Sequence, residues 1–277
     1  MDLICDTNIW YDISSGQLDP TAIKTQGHKL LATPISVLEI VSKIDEDNFA
    51  KRQKAAQAIE THADDIFIGP EEHLAELWGL QPKTTVDWLA NNRAVANASC
   101  FAELGTGVVD ATGTQKIQVN LPKANAWRTM SYQRFLNNVV TALDTVLPGY
   151  GQRWVNGTFR QLNDSEKQLF RNAMSQPLVK NGLINVTFER AVKAAGLTGR
   201  TEPTEAEFAT ASPLLFVYID LYAEFMVNSG CHSKPEENDA GDIEMFIYAQ
   251  HNRKVMTQEK KWNRLAESAG HKSIMYQ

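Results

Sequence analysis

Three acidic residues stand where a fold could gather them for chemistry. Asp6 follows a short apolar run at residues 2–5, and Asp239 and Asp242 lie three positions apart in the run NDAGDIEMFIYA. A helix that begins near residue 239 places both of these carboxylates on one face. Carboxylates gathered in one pocket repel each other unless a cation compensates, and oxygen ligands without histidine or cysteine favour Mg²⁺ or Mn²⁺. The sequence therefore indicates a divalent-metal site.

Strand and helix patterns alternate through the first 80 residues. The run at residues 2–5 predicts a buried strand, so Asp6 would lie at the carboxyl edge of a sheet, where open α/β sheets bind ligands. Residues 30–32 predict a second strand, and Thr33 and Pro34 predict the cap and first turn of a helix. Further patterns predict helices at 35–44, 49–62 and 70–80 and a strand at 65–68. Such alternation predicts an α/β fold with a parallel sheet.

From about residue 81 the pattern changes to long helices. We expect residues 81–203 to be a large, mostly helical insertion between residues 1–80 and 204–277, the two parts of one α/β core. The patterns in the insertion predict helices at 124–147, 164–175 and 187–195. In the second part of the core they predict helices at 204–229, 239–250 and 259–269 and strands at 254–257 and 273–276.

Three segments together resemble the PIN-domain nucleases. They are CDTNIW from residue 5, TPISVLEIV from residue 33 and NDAGDIEMFIYAQHNRKVMTQEKKW from residue 238. The resemblance covers residues 1–79 and about 230–277. It implies a three-layer α/β/α fold with a central parallel sheet, and hydrolysis of phosphodiester bonds in RNA or single-stranded nucleic acid. The carboxylates would bind Mg²⁺ or Mn²⁺, which lowers the pKa of a bound water and offsets charge on the phosphate.

The same resemblance implies roles for individual residues. It implies four catalytic acids, which are Asp6, Glu39, Asp239 and Asp242. It implies metal ligation by Asp6, Glu39, Asp242 and Glu259, with Asn8 and Thr257 in support. The last acid departs from the family pattern, because Thr257-Gln258-Glu259 stands where the family more often has Thr-x-Asp. Glu carries the same charge on a longer stem, so Glu259 could still ligate a second metal or orient water.

Each acid also has a structural interpretation. Asp6 could simply cap the helix that follows it, and Glu39 could form a capping box with Ser36, three residues earlier. Asp239 and Asp242 could be first-turn acids that favour the helix dipole. The metal-site interpretation is preferred because chance capping would have to be invoked separately at every one of these positions.

The charge of the chain is uneven. The net charge of -6 argues against a nucleic-acid partner, yet residues 122–200 carry eleven Lys or Arg and four acids. That segment has a net charge of +7, which leaves -13 for the rest of the chain. Aromatic residues lie among the basic ones, and such mixtures can bind a single strand through phosphate contacts and base stacking, although here we expect the aromatics to face the insertion's own core. The residues predicted to bind nucleic acid are Arg128, Arg134, Arg153 and Arg160.

Other functions share features with this sequence. A PIN-like fold that has lost catalysis could serve as a binding or scaffolding module, which the departure at Glu259 favours, and metal titration would separate the two. A phosphatase of the haloacid dehalogenase type also begins with a strand ending in Asp, but Asn8 stands where that family has its second Asp, the general acid. A toxin of the small PIN type would be atypical with so long an insertion. A homo-oligomer or an inhibitory protein partner stays open.

The remaining sequence features concern location. Apolar runs fall short of the roughly 18 uninterrupted residues of a membrane span, and the start MDLICD lacks the pattern of a signal peptide. We therefore expect a cytoplasmic protein with no membrane partner. Cys5, Cys100 and Cys231 are far apart and lack CxxC spacing, so reduced, mostly structural thiols are expected.

Overall fold

Four parallel strands form the central sheet. The computed structural model describes residues 1–83, 87–106, 108–109, 116–117, 121–158, 162–250 and 252–276. The described strands are β1 (Asp2–Cys5), β2 (Lys29–Ala32), β3 (Asp65–Ile66), β4 (Val108–Val109), β5 (Lys116–Ile117) and β6 (Arg253–Met256). The central sheet has the order β3-β2-β1-β6 with every pair parallel, and β4 and β5 form a separate antiparallel pair. The predicted α/β class with a central parallel sheet is confirmed.

Helices make up most of the rest of the described chain. Residues 1–80 contain α1 (Thr7–Ser15), α2 (Pro20–Thr25), α3 (Pro34–Val41), α4 (Phe49–His62) and α5 (Pro70–Leu77). Residues 81–203, the predicted insertion, contain α6 (Trp88–Asn97), α7 (Phe101–Thr106), α8 (Leu121–Val146), α9 (Tyr150–Arg153), a π-helical turn (Trp154–Thr158), α10 (Asp164–Met174) and α11 (Pro177–Ala194). The last part contains α12 (Glu205–Cys231), α13 (Glu237–Asp242), a 3-10 helix (Ile243–Tyr248), α14 (Lys260–Ser268) and a 3-10 turn (Lys272–Ile274).

The start of α3 follows the local signals in the sequence. The Ser36 backbone N–H donates to the Thr33 hydroxyl at 3.0 Å, and Pro34 occupies the first turn, where its missing N–H costs nothing. The suggested capping box between Ser36 and Glu39 is wrong, because Thr33 is the cap and Glu39 lies in the body of the helix. Glu39 is therefore available for a contact outside its own helix.

Helices cover both faces of the sheet. Alternate residues of a strand point to opposite faces, so Leu3 and Cys5 join one apolar core and Ile4 joins the other. The first core contains residues of α1, α3, α4 and α6, and the second contains residues of α5, α8, α10, α11, α12 and α14. Because the predicted insertion at 81–203 contributes to both cores, it packs directly onto the sheet that carries the candidate site.

Two predicted element boundaries are wrong near turns. The predicted strand at 273–276 is a 3-10 turn followed by one isolated parallel bridge, from Met275 to β6. The predicted helix at 35–44 ends at Val41, because Ser42 is extended and Lys43 adopts a left-handed φ of 54°. This early end exposes the last turn of α3 to contacts from other segments.

The predicted helix at 187–195 is also longer than expected. It is the second half of α11, which begins at Pro177, where proline occupies the first turn. The predicted helix at 239–250 is divided, because α13 ends at Asp242 and a 3-10 helix continues to Tyr248. Asp242 therefore lies at the junction of two helical geometries.

Within the described residues, α12 is long and apolar enough to cross a membrane by length and composition. Of its most apolar window, 56% is buried inside the fold, where it packs against α8, α11 and α14. Core helices of soluble proteins have the same length and composition, so the expected absence of a membrane partner stays a prediction.

Candidate metal centre

Asp6 lies at the carboxyl edge of the central strand. Its backbone N–H donates to the Met256 carbonyl at 3.0 Å, which extends the pairing of β1 with β6 by one residue. Its carboxylate accepts from the Thr7 backbone N–H at 2.6 Å and from the Thr257 hydroxyl at 2.7 Å. The suggested capping role of Asp6 is therefore present, and Thr257 supports the same side chain as predicted.

Glu39 reaches this edge from α3. The Ser36 hydroxyl donates to the Cys5 carbonyl at 3.0 Å and so ties the first turn of α3 to the end of β1. Further along the helix, the Glu39 carboxylate accepts from the Thr7 hydroxyl at 2.5 Å. These two contacts place Glu39 beside Asp6 although they lie in different elements.

Asp6, Glu39 and Asp242 converge in a cleft at this edge. One carboxylate oxygen of each lies within 4.8 Å of the others, although Asp242 comes from the far end of the chain. The structure therefore brings together three of the four residues for which the resemblance implies metal ligation. The binding of a metal there stays a prediction.

Asp242 differs from the other two acids in its surroundings. Asp6 and Glu39 each accept hydrogen bonds from hydroxyl groups, whereas no described residue donates a hydrogen bond to the Asp242 carboxylate. Its residue is only 5% exposed. Asp242 lines the cleft, and ionising it beside two other carboxylates is costly unless a cation or a proton compensates the charge.

The pKa values of all three acids rise above the usual range. Burial is the largest cause at each residue, and repulsion from neighbouring carboxylates adds to it at Asp6 and Asp242. The pKa of Asp6 rises to about 7, and that of Asp242 rises well above its usual range. The Thr7 hydroxyl and Arg128 partly offset the rise in the pKa of Glu39. Without a cation, the cleft therefore favours protonated acids.

Asn8 and Glu259 border the three acids. The Asn8 side-chain amide donates to Asp6 at 3.3 Å and to Glu259 at 3.2 Å, so it joins the two carboxylates across the cleft. Glu259 also precedes α14, with its backbone N–H donating to the Thr257 hydroxyl at 3.1 Å. The structure thus brings the longer Glu of the Thr-x-Glu departure to the cleft, although it lies outside the group of three.

Asp239 does not join the other predicted catalytic acids. Its carboxylate accepts from the Glu236 backbone N–H at 2.8 Å, in a capping box at the start of α13, and forms an ion pair with Lys261. The structural interpretation accounts for this residue, since both of its carboxylate oxygens are engaged. Its predicted catalytic role has no support in the geometry of the cleft.

Two arginines line the carboxylate cleft, which has a volume of about 140 Å³. Arg52 on α4 donates to the carbonyls of Glu39 and Ile40, the latter at 2.9 Å. Arg128 on α8 donates to the Ser42 hydroxyl at 2.9 Å and lies 3.9 Å from the Glu39 carboxylate. Arg128 was predicted to bind nucleic acid on the basic insertion, and the structure places it beside the acids.

The other predicted nucleic-acid-binding residues lie elsewhere. Arg134 pairs with Glu71 at 3.8 Å and Glu244 at 3.9 Å, away from the cleft. Arg153 is exposed, with its guanidinium 5.1 Å from the centre of the Tyr150 ring. Arg160 lies outside the described residues. Arg128, Arg134 and Arg153 therefore contact different groups.

Much of the positive charge of the insertion is already paired with acids. Lys180 contacts Asp220 at 2.6 Å, and Arg200 contacts Glu207 at 2.7 Å. The surplus of +7 in residues 122–200 is thus partly matched by carboxylates of α12, a helix outside that segment. The prediction that this segment binds nucleic acid loses part of its basis, because Lys180 and Arg200 already form ion pairs with carboxylates.

Sequence reasoning missed Arg52 and Tyr11, which also line the cleft. Arg52 lies on an exposed-looking stretch of α4, and its role depends on how α4 packs against the end of α3. Tyr11 is one turn beyond Thr7 on α1, and Lys51 lies 4.9 Å from the centre of its ring. Its position one turn after the CDTN segment is the signal that could have identified it.

Comparisons of the chain with protein-family models, with curated proteins and with solved structures give no match. The interpretation of the cleft therefore depends on its geometry and on the chemistry of its residues.

Proposed function

We propose that this chain is a PIN-like nuclease that hydrolyses phosphodiester bonds of RNA or single-stranded nucleic acid with Mg²⁺ or Mn²⁺. The observation that carries the proposal is Asp242, a carboxylate that is 5% exposed, accepts no hydrogen bond from a described residue and faces two other carboxylates. Burying such a group is tolerable when a cation occupies the space between the acids.

The donor set of the cleft fits a hard divalent cation. Asp6, Glu39 and Asp242 each offer an oxygen atom within 4.8 Å of the others, and neither histidine nor cysteine is part of this group. Mg²⁺ and Mn²⁺ prefer oxygen ligands and keep several waters, so three carboxylates at one end of an open cleft suit them. The hydroxyl groups of Thr7 and Thr257 orient Glu39 and Asp6, as outer contacts do in metal sites.

The residues around the acids define what each would do. When bound, the divalent ion would supply a water of lowered pKa and neutralise charge on the scissile phosphate. Glu259 is held by Asn8 at the border of the three acids, and it can accept a proton from water without leaving its place. Asn8 joins Glu259 to Asp6, so it would fix the spacing between the proton acceptor and the ligands.

The fold supports the PIN-like assignment. The resemblance implied a central parallel sheet with its acids at the carboxyl edge, and Asp6 follows β1 while Thr257 follows β6 at that edge. Glu39 lies on the helix that follows β2. In parallel α/β sheets this edge is where ligands bind.

A cleavage assay tests the proposal directly. Labelled single-stranded RNA and DNA would be incubated with the wild-type protein in Mn²⁺, in Mg²⁺ and in EDTA, next to Asp242→Asn. The control is Asp12→Asn, which removes one carboxylate from α1 outside the cleft. We expect cleavage by the wild type and by Asp12→Asn in Mn²⁺ or Mg²⁺, and none in EDTA or with Asp242→Asn. Cleavage that persists in EDTA would contradict the proposal.

A catalytically inactive PIN-like binding module is the other outcome of this assay. It predicts nucleic-acid binding without cleavage in either metal, and the Glu259 departure is its motivation. A filter-binding measurement on the same samples separates the two, because the inactive module would retain the strand intact.

A further inference from the structure

Arg128 comes from the insertion yet lies in the carboxylate cleft. Two contacts fix the position of its helix, since Thr129 donates to the Glu237 carboxylate at 3.0 Å and Tyr132 donates to the Pro235 carbonyl at 3.1 Å. Arg128 itself reaches Ser42, just after the last turn of α3. Helix α8 is thus docked on the segments that precede Asp242 and follow Glu39, and it forms one wall of the cleft.

The hydrogen-bonding capacity of Arg128 is not used up by its neighbours. The residue is 8% exposed, and its one described hydrogen bond goes to Ser42. The Glu39 carboxylate lies 3.9 Å away, which is beyond hydrogen-bond distance. A guanidinium has five N–H donors in a planar fork, and a buried one with unused donors is best satisfied by an anion that takes two of them.

The second arginine of the cleft is engaged differently. Arg52 donates to two backbone carbonyls at the end of α3, Glu39 and Ile40, and so stabilises the turn that carries Glu39. Arg52 could bind a ligand only by giving up these hydrogen bonds, which would loosen the end of α3. Arg128, by contrast, can turn from Glu39 towards a ligand in the cleft while it keeps its bond to Ser42.

We propose that Arg128 binds a phosphate oxygen of the substrate at the acidic cleft, so that the insertion supplies part of the active site. This rests on the proposed function and deepens it, because it assigns the contact to one residue of the insertion. A phosphodiester entering between the acids and α8 would have the carboxylates that would hold a cation on one side and the Arg128 guanidinium on the other. Arginine suits this position because its fork matches two oxygens of one phosphate.

The alternative is that Arg128 serves only to neutralise Glu39. Both interpretations expect Arg128→Ala to alter the stability of the metal-free protein and to tighten metal binding, since a nearby positive charge is lost. They differ in the salt dependence of substrate binding, because only the phosphate contact predicts a smaller dependence in Arg128→Ala. For each lost single-strand phosphate contact, the slope of log affinity against log salt falls in magnitude by roughly 0.7.

The test measures binding of a labelled single-stranded oligonucleotide to variants made in the Asp6→Asn background, which prevents cutting. Fluorescence anisotropy at several salt concentrations compares Asp6→Asn alone with added Arg128→Ala, Arg128→Lys or Arg134→Ala. Arg134 lies on the same helix but pairs with Glu71 and Glu244, so its loss removes an equal charge outside the cleft. Thermal melts establish that each variant is folded.

We expect Arg128→Ala to weaken binding by roughly 10-fold or more and to lower the salt slope, while Arg134→Ala changes neither. Arg128→Lys keeps the charge that neutralises Glu39 but loses the fork, so it should fold like its parent and still bind more weakly. Parental affinity and salt slope in both Arg128 variants would overturn the inference. Mn²⁺ titration of the wild type is the separate arm, because absent Mn²⁺ binding would refute the proposed function and this inference with it.

Discussion

Two clusters of buried charge lie two residues apart in the sequence, at Asp242 and at Glu244. In the second cluster, Arg190 donates to Glu244 at 2.5 and 3.1 Å and to Glu71 at 3.1 Å. The Tyr218 hydroxyl donates to Glu244 at 3.3 Å. In the first cluster, three carboxylates face one another, and Arg128 approaches one of them at 3.9 Å.

The difference between the clusters is their charge balance. Burial opposes ionisation of Glu71, yet the charges of Arg190 and Arg134 lower the pKa of that residue below its usual value. In the cleft, burial raises the pKa values of Asp6 and Asp242, and repulsion from neighbouring carboxylates adds to that rise. The balanced cluster joins Arg190 on α11 to Glu71 on α5 and to Glu244. In the unbalanced cluster, a bound cation would offset the excess negative charge of the three carboxylates.

The largest expected effect is on activity, from Asp242→Asn. Removing this carboxylate should reduce cleavage by about 1,000-fold or more, because several kcal/mol of stabilisation at the phosphate depend on the bound cation. The same change should leave the metal-free protein as stable as before or slightly more stable, since it removes repulsion from Asp6 and Glu39. Single-turnover cleavage and urea denaturation measure the two effects. Unfolding of Asp242→Asn would instead assign this residue to the balanced class.

The balanced cluster should respond in the opposite way. Arg190→Met leaves the buried Glu244 and the half-buried Glu71 without their main partner, and we expect the free energy of unfolding to fall by about 3–5 kcal/mol. Adding Glu244→Met should recover much of the loss, because a neutral apolar pair replaces an unpaired charge. Urea denaturation of the single and double variants tests this. Equal stability of Arg190→Met and wild type would show that the cluster contributes nothing to the fold.

The pH dependence of stability separates the two clusters further. Asp6 has an ordinary pKa of 3.8 and a folded pKa of about 7, so between these values the native state binds more protons than the unfolded chain. The free energy of unfolding of the metal-free protein should therefore fall as pH rises from about 4 to 7, by on the order of a few kcal/mol. Saturating Mg²⁺ should reduce this fall, because the cation favours the ionised acids.

Denaturation in EDTA and in Mg²⁺ at several pH values checks this prediction. Asp6→Asn should flatten the metal-free profile, whereas Asp12→Asn should keep the wild-type shape. A metal-free profile that rises from pH 4 to 7 would mean that the acids of the cleft are stabilised as carboxylates by the fold itself.

The smallest expected effect comes from Asp239→Asn. The variant loses an ion pair with Lys261, while an asparagine oxygen can still accept from the Glu236 backbone N–H. We expect a loss of stability of at most about 1 kcal/mol and cleavage within roughly 3-fold of the wild type. Steady-state assays in Mn²⁺ measure it. A loss of activity as large as that of Asp242→Asn would restore Asp239 to the catalytic group.

Local signals in the sequence were enough to predict part of the site. The apolar run of β1 ends at Asp6, and Thr33-Pro34 begins α3, so the elements that carry Asp6 and Glu39 could be predicted from a few neighbouring residues each. The order of the segments and their resemblance to one family then joined Asp242 to them. The first two features depend on residues close together in the chain, whereas the resemblance depends on the order of segments along all of it.

The rest of the site depends on contacts between distant segments. In the sequence, Asp239 and Asp242 are both predicted catalytic acids on one helix face, and the capping box and Lys261 separate them in the fold. Arg128 and Arg134 belonged to one basic segment, yet one turns to the cleft and the other to Glu71. Arg128 and Arg134 are six residues apart on α8, so their side chains leave the helix in different directions. The packing of α8 on the rest of the protein decides which residues each one contacts.

Calorimetric titration of Mn²⁺ into the wild-type protein tests the central claim most directly. Because the pKa of Asp6 rises to about 7 and burial also raises the pKa of Asp242, binding near neutral pH should release protons, and the measured heat should change with the ionisation enthalpy of the buffer. We predict saturable binding with proton release, abolished or greatly weakened in Asp242→Asn and retained in Asp12→Asn. An absence of saturable binding to the wild type, or equal binding to Asp242→Asn, would contradict the assignment of the cleft as a metal centre.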